Sequence, residues 1–137
     1  MQRLKTRAQF QAALSGGTVS RTPHFALHRV SLPQLSSEHP PLFHTQDVWL
    51  GAMLPKRWAR RAVTRNAIKR QIYVVSALFE QRLPCAAHVV RLRSGFDPTQ
   101  FISATSQLLK QAVRAELEHL FERACSANRA QSAPALP

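Results

Sequence analysis

Residues 56 to 70 concentrate positive charge: seven of these fifteen residues are lysine or arginine, and none is acidic. The cations are Lys56, Arg57, Arg60, Arg61, Arg65, Lys69 and Arg70. A guanidinium group can bind two phosphate oxygens at once, and a cluster of like charges repels itself unless a partner neutralises it. Asn66 can both donate and accept hydrogen bonds, so it could reach a ribose hydroxyl or a base edge. We therefore predict that this segment binds a polyanion.

The chain as a whole is also basic, with a net charge of +12 over 137 residues. None of its seven acidic residues precedes Glu38, and none lies between Asp47 and Glu80. Nucleic acid and an anionic membrane surface are both possible partners for such a charge. The basic segment lacks the apolar face of a helix that lies on a membrane, and it lacks the mixed signs of an ordinary solvated face. Nucleic acid is therefore the favoured partner, and we expect no membrane association.

Catalytic chemistry in the protein itself has little support from the sequence. A stand-alone nuclease needs clustered carboxylates to hold metal ions, or a histidine pair for acid–base work. Three acids on the last predicted helix, Glu116, Glu118 and Glu122, are typical of a solvated helix surface. His24 and His28 are predicted to share one strand face, where a nucleic-acid surface is a better interpretation than a metal site. We predict neither catalytic residues nor a metal site.

The two cysteines, Cys85 and Cys125, are far apart and lack the paired spacing of metal ligands. Reduced thiols of a cytoplasmic protein are the simplest interpretation. The first residues lead into no apolar stretch of a secretory signal, and no apolar run approaches the roughly 18 residues of a membrane span. We therefore expect a cytoplasmic protein.

Hydrophobic periodicity and turn residues predict the elements that position the basic segment. The predicted helices cover residues 6–14, 64–81 and 98–124, and the predicted strands cover 18–21, 25–30, 48–54 and 87–93. This order, α-β-β-β-α-β-α, predicts an α+β sandwich with one central sheet. We expect residues 1–125 to form one domain, with the proline-rich residues 31–46 as a flexible loop insertion and residues 126–137 as a disordered tail.

Helix ends and helix faces can also be predicted. Thr6 and Gln9 have the spacing of a capping box, Thr64 is a plausible N-cap, and Asp97 precedes Pro98 at the start of the last helix. The middle helix repeats apolar residues on one face: Ile68, Ile72, Val75 and Phe79. The last helix does so at Phe101, Leu108, Leu109, Val113, Leu117, Leu120 and Phe121. The middle-helix face should pack on the sheet, leaving the basic residues on a flank.

Three stretches resemble one known family. "PKRWARRAVTRNAIKRQIY" resembles the signature of the bacterial ribonuclease P protein component, in which an Arg-Asn-x-x-Lys-Arg core follows a strand that ends in two basic residues. "RLKTRAQFQAAL" resembles the opening helix of that family, and "HVVRLRSGF" its fourth strand and basic turn. The resemblance covers residues 3–121, and the three stretches stand in the family's order.

The resemblance implies a fold with a left-handed βαβ crossover, and a partner: the large catalytic RNA of ribonuclease P. In that family the RNA carries the active site and holds Mg²⁺, and the complex removes the 5′ leader of precursor tRNA. Matched residues imply a face toward the catalytic RNA, formed by Arg65, Asn66, Lys69 and Arg70 with Lys56, Arg57, Arg60 and Arg61 beside them. They also imply a leader cleft between the first helix and the sheet, lined by Phe10, Leu14, Ala26 and His28, with Arg93 near its edge.

Some positions depart from the family pattern. Ala67 stands where a basic residue is frequent, and Leu14 and His28 stand where aromatic residues are common. These departures imply weaker stacking on leader bases. Two alternatives stay open: a ribosomal or other structural RNA-binding protein without a role in cleavage, and a stand-alone nuclease.

Overall fold

A mixed sheet of five strands forms the centre of the protein, in a computed structural model that describes residues 1–32, 43, 45–96 and 107–132. The strands are β1 (Gln2–Arg3), β2 (Thr18–Arg21), β3 (Phe25–Ser31), β4 (Trp49–Met53) and β5 (Ala86–Leu92). The helices are α1 (Arg7–Ser15), α2 (Ala62–Phe79), which continues into a 3-10 turn (Glu80–Arg82), and α3 (Gln107–Ser132). The predicted order of elements is confirmed, and β1 is added in front of it.

The strands lie in the order β1-β4-β5-β3-β2. β2 and β3 form an antiparallel pair, β3 is antiparallel to β5, and β4 runs parallel to both β5 and β1. Helix α2 joins the parallel neighbours β4 and β5, and this is the β–α–β crossover that the resemblance implies. Strand β1 was not predicted, because two residues are too few to show an alternating pattern.

The sheet separates two apolar clusters. Helices α2 and α3 cover one face, and α1 covers part of the other. The predicted apolar face of α2 is confirmed, since Ile68, Ile72, Val75 and Phe79 are all buried. On α3 the prediction holds for Leu109, Val113, Leu117, Leu120 and Phe121, whereas Leu108 is 65% exposed. No helix among the described residues is both long enough and apolar enough to cross a membrane.

The start of α1 forms as the sequence predicts, and two glycines follow its end. The Thr6 side chain accepts a hydrogen bond from the Gln9 amide, and the Gln9 side chain accepts one from the Thr6 amide. At the other end, Gly16 packs so closely on β3 that a Cβ atom there would lie 1.9 Å from the carbonyl oxygen of Arg29. Gly17 follows with a φ of 93°, a conformation that favours glycine. The glycine pair therefore lets the chain turn directly from α1 into β2.

Helix α2 starts earlier than predicted, at Ala62, so the prediction of Thr64 as its N-cap is wrong. The N-cap residue is Arg61, whose extended backbone has no side-chain capping bond. The chain leaves β4 in a turn in which the Pro55 carbonyl accepts the amides of Trp58 and Ala59 at 3.0 and 3.2 Å. Ala59 is buried in the apolar core, and the helix begins three residues later, at Ala62.

Several predictions concern residues at the limits of the described structure. Of the predicted insertion at 31–46, Ser31 belongs to β3, and Phe43 is buried with its ring 5.3 Å from that of Trp49. Residues 33–42 and 44 lie outside the described residues, as do Asp97, Pro98 and Phe101. Helix α3 continues to Ser132, so residues 126–132 are helical where we expected a disordered tail. They include alanine, arginine and glutamine, which favour helix, and no glycine or proline.

His88 makes the stability of this fold dependent on pH. Its side chain is fully buried between the sheet and the helix pair, with Nε2 3.1 Å from the Pro84 carbonyl oxygen and Nδ1 accepting Arg29 Nε at 3.3 Å. Burial lowers the pKa of His88 to about 4, from 6.5; the Pro84 contact opposes this change, and the Arg29 charge adds to it. The unfolded chain therefore binds a proton more tightly than the folded chain, and acid favours unfolding.

We expect the free energy of unfolding to fall by on the order of 3 kcal/mol as the pH drops from about 6.5 to about 4. Urea unfolding at a series of pH values measures this dependence. His88→Gln keeps a donor and an acceptor without a titrating ring, and should flatten the curve in this window. His119→Gln, at an exposed position on α3, is the control for the loss of a histidine. Equal slopes for wild type and His88→Gln would contradict the assignment.

Candidate nucleic-acid interface

The cations predicted from the sequence come together at the point where β4 passes into α2. This basic cluster consists of Lys56, Arg57, Arg60, Arg61, Arg65, Asn66, Lys69 and Arg70. The first four lie on the connection after β4, and the others lie on the first turns of α2. All except Arg65 are exposed. The fold therefore presents one continuous basic surface at the carboxyl end of β4.

No carboxylate in the described part of the chain neutralises the basic cluster. All five described acids have partners elsewhere: four pair with cations, and Glu116 contacts His24. The pairs are Asp47 and Glu80 with the Met1 amino group, Glu116 with His24, Glu118 with Arg114, and Glu122 with Arg82. Since a solvated surface normally intersperses both signs, this separation of charge favours an external anion as the partner.

Arg65 differs from the rest of the cluster. Its Nη1 donates to the carbonyl oxygens of Ala59 and Arg60 at 3.0 and 2.9 Å, so the guanidinium folds back over the connection. The side chain is half-buried. Arg65 therefore holds the backbone that carries Arg60 and Arg61, and its side chain is less exposed than theirs. The predicted contact of Arg65 with RNA stays a prediction.

The amino-terminal end of α2 strengthens the anion preference of the cluster. The first turn contains no acidic residue, and no side chain caps the helix. The leading amides of a helix lack intrahelical partners and carry a partial positive charge, which suits a phosphate group. Arg61 at the N-cap adds a full positive charge at this end. In the free protein this arrangement is repulsive, and a bound anion would relieve the repulsion.

The two tryptophans have different environments. Trp49 is 2% exposed in the core, whereas Trp58 is 37% exposed within the connection that carries the basic cluster. The Arg57 guanidinium lies 5.3 Å from the centre of the Trp58 ring. A Cβ atom on Gly95 would lie 2.8 Å from the Trp58 carbonyl oxygen, so the turn after β5 packs closely on this connection.

A second candidate surface lies between α1 and the sheet, where the resemblance places a leader cleft. Phe10 is partly exposed, and its ring lies directly over β4: a Cβ atom on Gly51 would be 2.5 Å from Phe10 Cε1. Leu14 is also partly buried in the same apolar cluster. Because Gly51 has no side chain, the Phe10 ring can approach the backbone of β4 closely.

The other predicted cleft residues are less accessible. Ala26 is fully buried and His28 is 8% exposed, both on the α1 face of β3. Arg93 Nη1 donates to the carbonyl oxygens of Thr22 and Pro23 at 2.8 and 3.1 Å, which ties the end of β5 to the β2–β3 turn. The structure thus brings Phe10, Leu14 and His28 to one face and uses Arg93 to hold the turn.

This surface contains a further residue, Arg91, that was not among the predicted cleft residues. Arg91 is partly exposed on β5, and its Nε donates to His28 Nε2 at 3.2 Å. Its position could have been found from strand alternation, because Arg91 has the parity of Ala87 and Val89, which face α1.

His24 and His28 do not share a face, so that prediction is wrong. His24 precedes β3, in the turn after β2, where strand alternation does not apply. Its Nδ1 lies 2.7 Å from Glu116 Oε1 on α3, and its ring stacks on Phe96 at 4.0 Å. His28 instead contacts Thr18 and Arg91 on the α1 side. The two rings therefore lie on opposite sides of the sheet.

A magnesium site would require oxygen ligands gathered in one place. The described carboxylates are dispersed in ion pairs, and within the described ranges no three His, Cys, Asp or Glu side chains come together. These residues do not fit a divalent cation held by the protein. Of the two cysteines, Cys85 is exposed and Cys125 is buried.

Comparison with known proteins agrees with the fold and with the sequence signature. A family model described as Ribonuclease P matches residues 1–125. The ribonuclease P protein component of Bordetella parapertussis is 34% identical over 121 residues, covering 88% of this chain and 89% of that protein. The ribonuclease P protein component of a Nostoc species is 32% identical over 128 residues, covering 80% and 89%.

Solved structures show the same architecture. The ribonuclease P protein of Staphylococcus aureus superimposes with a TM-score of 0.63 at 20% identity, covering 89% of this chain and 94% of that one. At this identity the superposition shows the fold alone. Since the family model spans almost the whole chain and the curated relatives match most of their own length, the chain belongs to the bacterial ribonuclease P protein component family.

Proposed function

We propose that this chain is the protein subunit of a ribonucleoprotein that removes the 5′ leader from precursor tRNA. In this proposal the basic cluster binds the catalytic RNA, and the surface between α1 and the sheet binds the leader. The RNA supplies the catalytic groups, and the protein acts in the cytoplasm. Membership of the ribonuclease P family makes an RNA the expected partner.

One observation carries the proposal: seven cations share one surface and have no carboxylate partner among the described residues. Each lysine or arginine that meets a phosphate releases condensed counterions, and this release favours binding at low salt. The cluster also flanks the uncapped start of α2, where amides can bind a phosphate oxygen. Binding would thus replace diffuse counterions with charges fixed by the fold.

The Mg²⁺ that the family implies would be held mainly by the RNA. The carboxylates that the structure describes are paired on α3, on the 3-10 turn and ahead of β4, and none of them lies in the basic cluster. The protein would contribute fixed positive charge, which lowers the repulsion between the leader and the catalytic RNA. A lower demand for Mg²⁺ in the presence of the protein is the expected consequence.

A cleavage assay at low Mg²⁺ tests the function. The protein is added to in vitro transcribed ribonuclease P RNA with precursor tRNA, and leader removal is followed on a gel. We expect cleavage in the presence of both components under conditions where the RNA alone is inactive.

The other outcomes identify the alternatives. Binding to the RNA without stimulation of cleavage would indicate a structural RNA-binding protein. Cleavage by the protein without the RNA would indicate a stand-alone nuclease. Either result would contradict the proposed function.

A further inference from the structure

A row of paired residues crosses the α1 face of the sheet and carries two arginines. Ala26 on β3 pairs with Arg21 on β2 and with Arg91 on β5, and Arg91 pairs in turn with Met53 on β4. Directly paired residues point to the same face of a sheet. Arg21 is exposed and Arg91 partly exposed, whereas Ala26 between them is buried. The backbones of Arg21 and Arg91 are separated by two strand spacings, or about 10 Å.

His28 holds Arg91 in this row. Arg91 Nε donates to His28 Nε2 at 3.2 Å, and His28 Nδ1 lies 3.4 Å from Thr18 Oγ1. Because an arginine Nε always carries a hydrogen, His28 must be neutral, with its proton on Nδ1. Burial lowers the pKa of His28, and the charges of Arg91 and Arg21 lower it further, which keeps the ring an acceptor. The imidazole is 8% exposed, so packing fixes its orientation.

The contact with His28 leaves most of the Arg91 guanidinium available. Only Nε is used, and neither Nη atom has a hydrogen-bond partner among the described residues. The side chain extends from the middle of the sheet rather than from a loop, and one of its donors is already fixed in direction. Such pre-organisation reduces the entropy lost when a ligand binds.

The chemistry around the row indicates the kind of ligand. No acidic residue in the described part of the chain pairs with either arginine. Apolar groups lie next to the charges, because Met53 ends the same row and Phe10 lies over Gly51, two residues earlier on β4. Cations beside an exposed aromatic ring suit a single strand, whose phosphates meet the cations while a base stacks on the ring.

We propose that Arg21 and Arg91 bind backbone phosphates of the 5′ leader and that His28 is the positioning residue for Arg91. The inference rests on the proposed function; it adds two phosphate-binding arginines to the leader surface and gives His28 a positioning role there. Arg91 and Arg21 would distinguish precursor from mature tRNA, since only the precursor places a strand along the α1 face.

The test uses the holoenzyme, reconstituted from the full-length protein and ribonuclease P RNA. The affinities for precursor and mature tRNA are measured over a range of salt concentrations. Arg91→Gln should weaken precursor binding roughly tenfold and reduce the salt slope for the precursor by about 0.7, the value for one single-strand phosphate contact. Binding of mature tRNA should not change. Arg21→Gln, on an exposed edge strand, should do the same and is the second variant if Arg91→Gln does not fold.

Two His28 variants separate positioning from packing. His28→Gln can still accept from Arg91 and should bind the precursor nearly as wild type does. His28→Phe keeps a ring but has no acceptor. It should reduce the salt slope for precursor tRNA binding by as much as Arg91→Gln does. Arg114→Gln, on the exposed surface of α3, is the matched control for loss of one charge.

The outcomes separate this inference from the proposed function. If wild-type holoenzyme prefers precursor to mature tRNA and neither arginine variant changes the precursor slope, the arginine row is not the leader site. If His28→Phe binds as wild type does, the positioning role is overturned. If wild-type holoenzyme shows no preference for the precursor, the proposed function itself fails.

Discussion

Replacing Arg65, Lys69 and Arg70 together by glutamine should weaken binding to ribonuclease P RNA by on the order of 100- to 1,000-fold at about 0.1 M salt. A hydrogen bond to a charged group contributes about 1.5 kcal/mol at the low end of its range, so the loss of two or three phosphate contacts costs about 3 to 4.5 kcal/mol of binding free energy. We predict that the three residues together neutralise two or three phosphates. A plot of the logarithm of affinity against the logarithm of salt concentration should therefore become less steep, by about 2 to 3 units of slope. Filter binding over a range of salt concentrations measures both effects.

A control with the same net charge isolates the site. Lys110, Arg114 and Arg123 lie on α3, outside the basic cluster, and their replacement by glutamine also removes three charges. This variant should lose only the affinity that comes from long-range attraction. Its difference from wild type should disappear as added salt screens that attraction. An equal loss of slope in both variants would show that RNA responds to total charge and would remove the basic cluster as a specific interface.

Arg65 is expected to act differently from Lys69 and Arg70. Its Nη1 is occupied by two backbone carbonyl groups, while the other two side chains are exposed. Arg65→Gln alone should therefore loosen the connection that carries Arg60 and Arg61, as well as removing a charge. The helical pattern places Arg65 on the basic flank of α2. It does not show the two carbonyl contacts, because they depend on the path of the chain after the turn at Pro55.

The elements that were predicted well are those whose signals are local. The repeat of Ile68, Ile72 and Val75 specifies a buried helix face, and the Thr6–Gln9 capping box specifies a helix start; both are present. Strand β1 and the start of α2 were missed or misplaced because they depend on distant contacts. Gln2 pairs with Trp49, almost fifty residues away along the chain, and no pattern in two residues encodes such pairing.

The same distinction applies to the candidate site. The basic cluster is contiguous in sequence, so composition alone reveals it. The Arg91–His28 contact joins residues that are 63 apart along the chain. It depends on the antiparallel register of β3 with β5, which places both side chains on the face of the sheet that α1 covers only in part. The resemblance supplied the general position of the second surface. Only the register places Arg21, Ala26 and Arg91 in one row.

Phe10→Ala should weaken binding of precursor tRNA to the holoenzyme by about 5- to 150-fold and leave mature tRNA binding unchanged. The Phe10 ring is partly exposed over Gly51, and an aromatic ring that stacks on a nucleic-acid base contributes about 1–3 kcal/mol. Gly51→Ala tests the position of the ring without removing it. The new Cβ atom would lie 2.5 Å from Phe10 Cε1 and 2.8 Å from Cζ, so the ring must shift away from β4. A loss in the same direction is expected, with an overpacking cost in stability of about 1–3 kcal/mol.

Stability must be separated from recognition, because Phe10 belongs to the apolar cluster beneath α1. Phe43→Ala removes a ring from the same cluster, where Phe43 packs on Trp49, and provides the matched control. It should lower the melting temperature while preserving the ratio of precursor to mature affinity. Phe10→Ala should lower that ratio even under conditions where the variant is fully folded. If Phe10→Ala and Phe43→Ala change the two affinities in the same proportion, the Phe10 ring serves the core alone, and the leader does not stack on it.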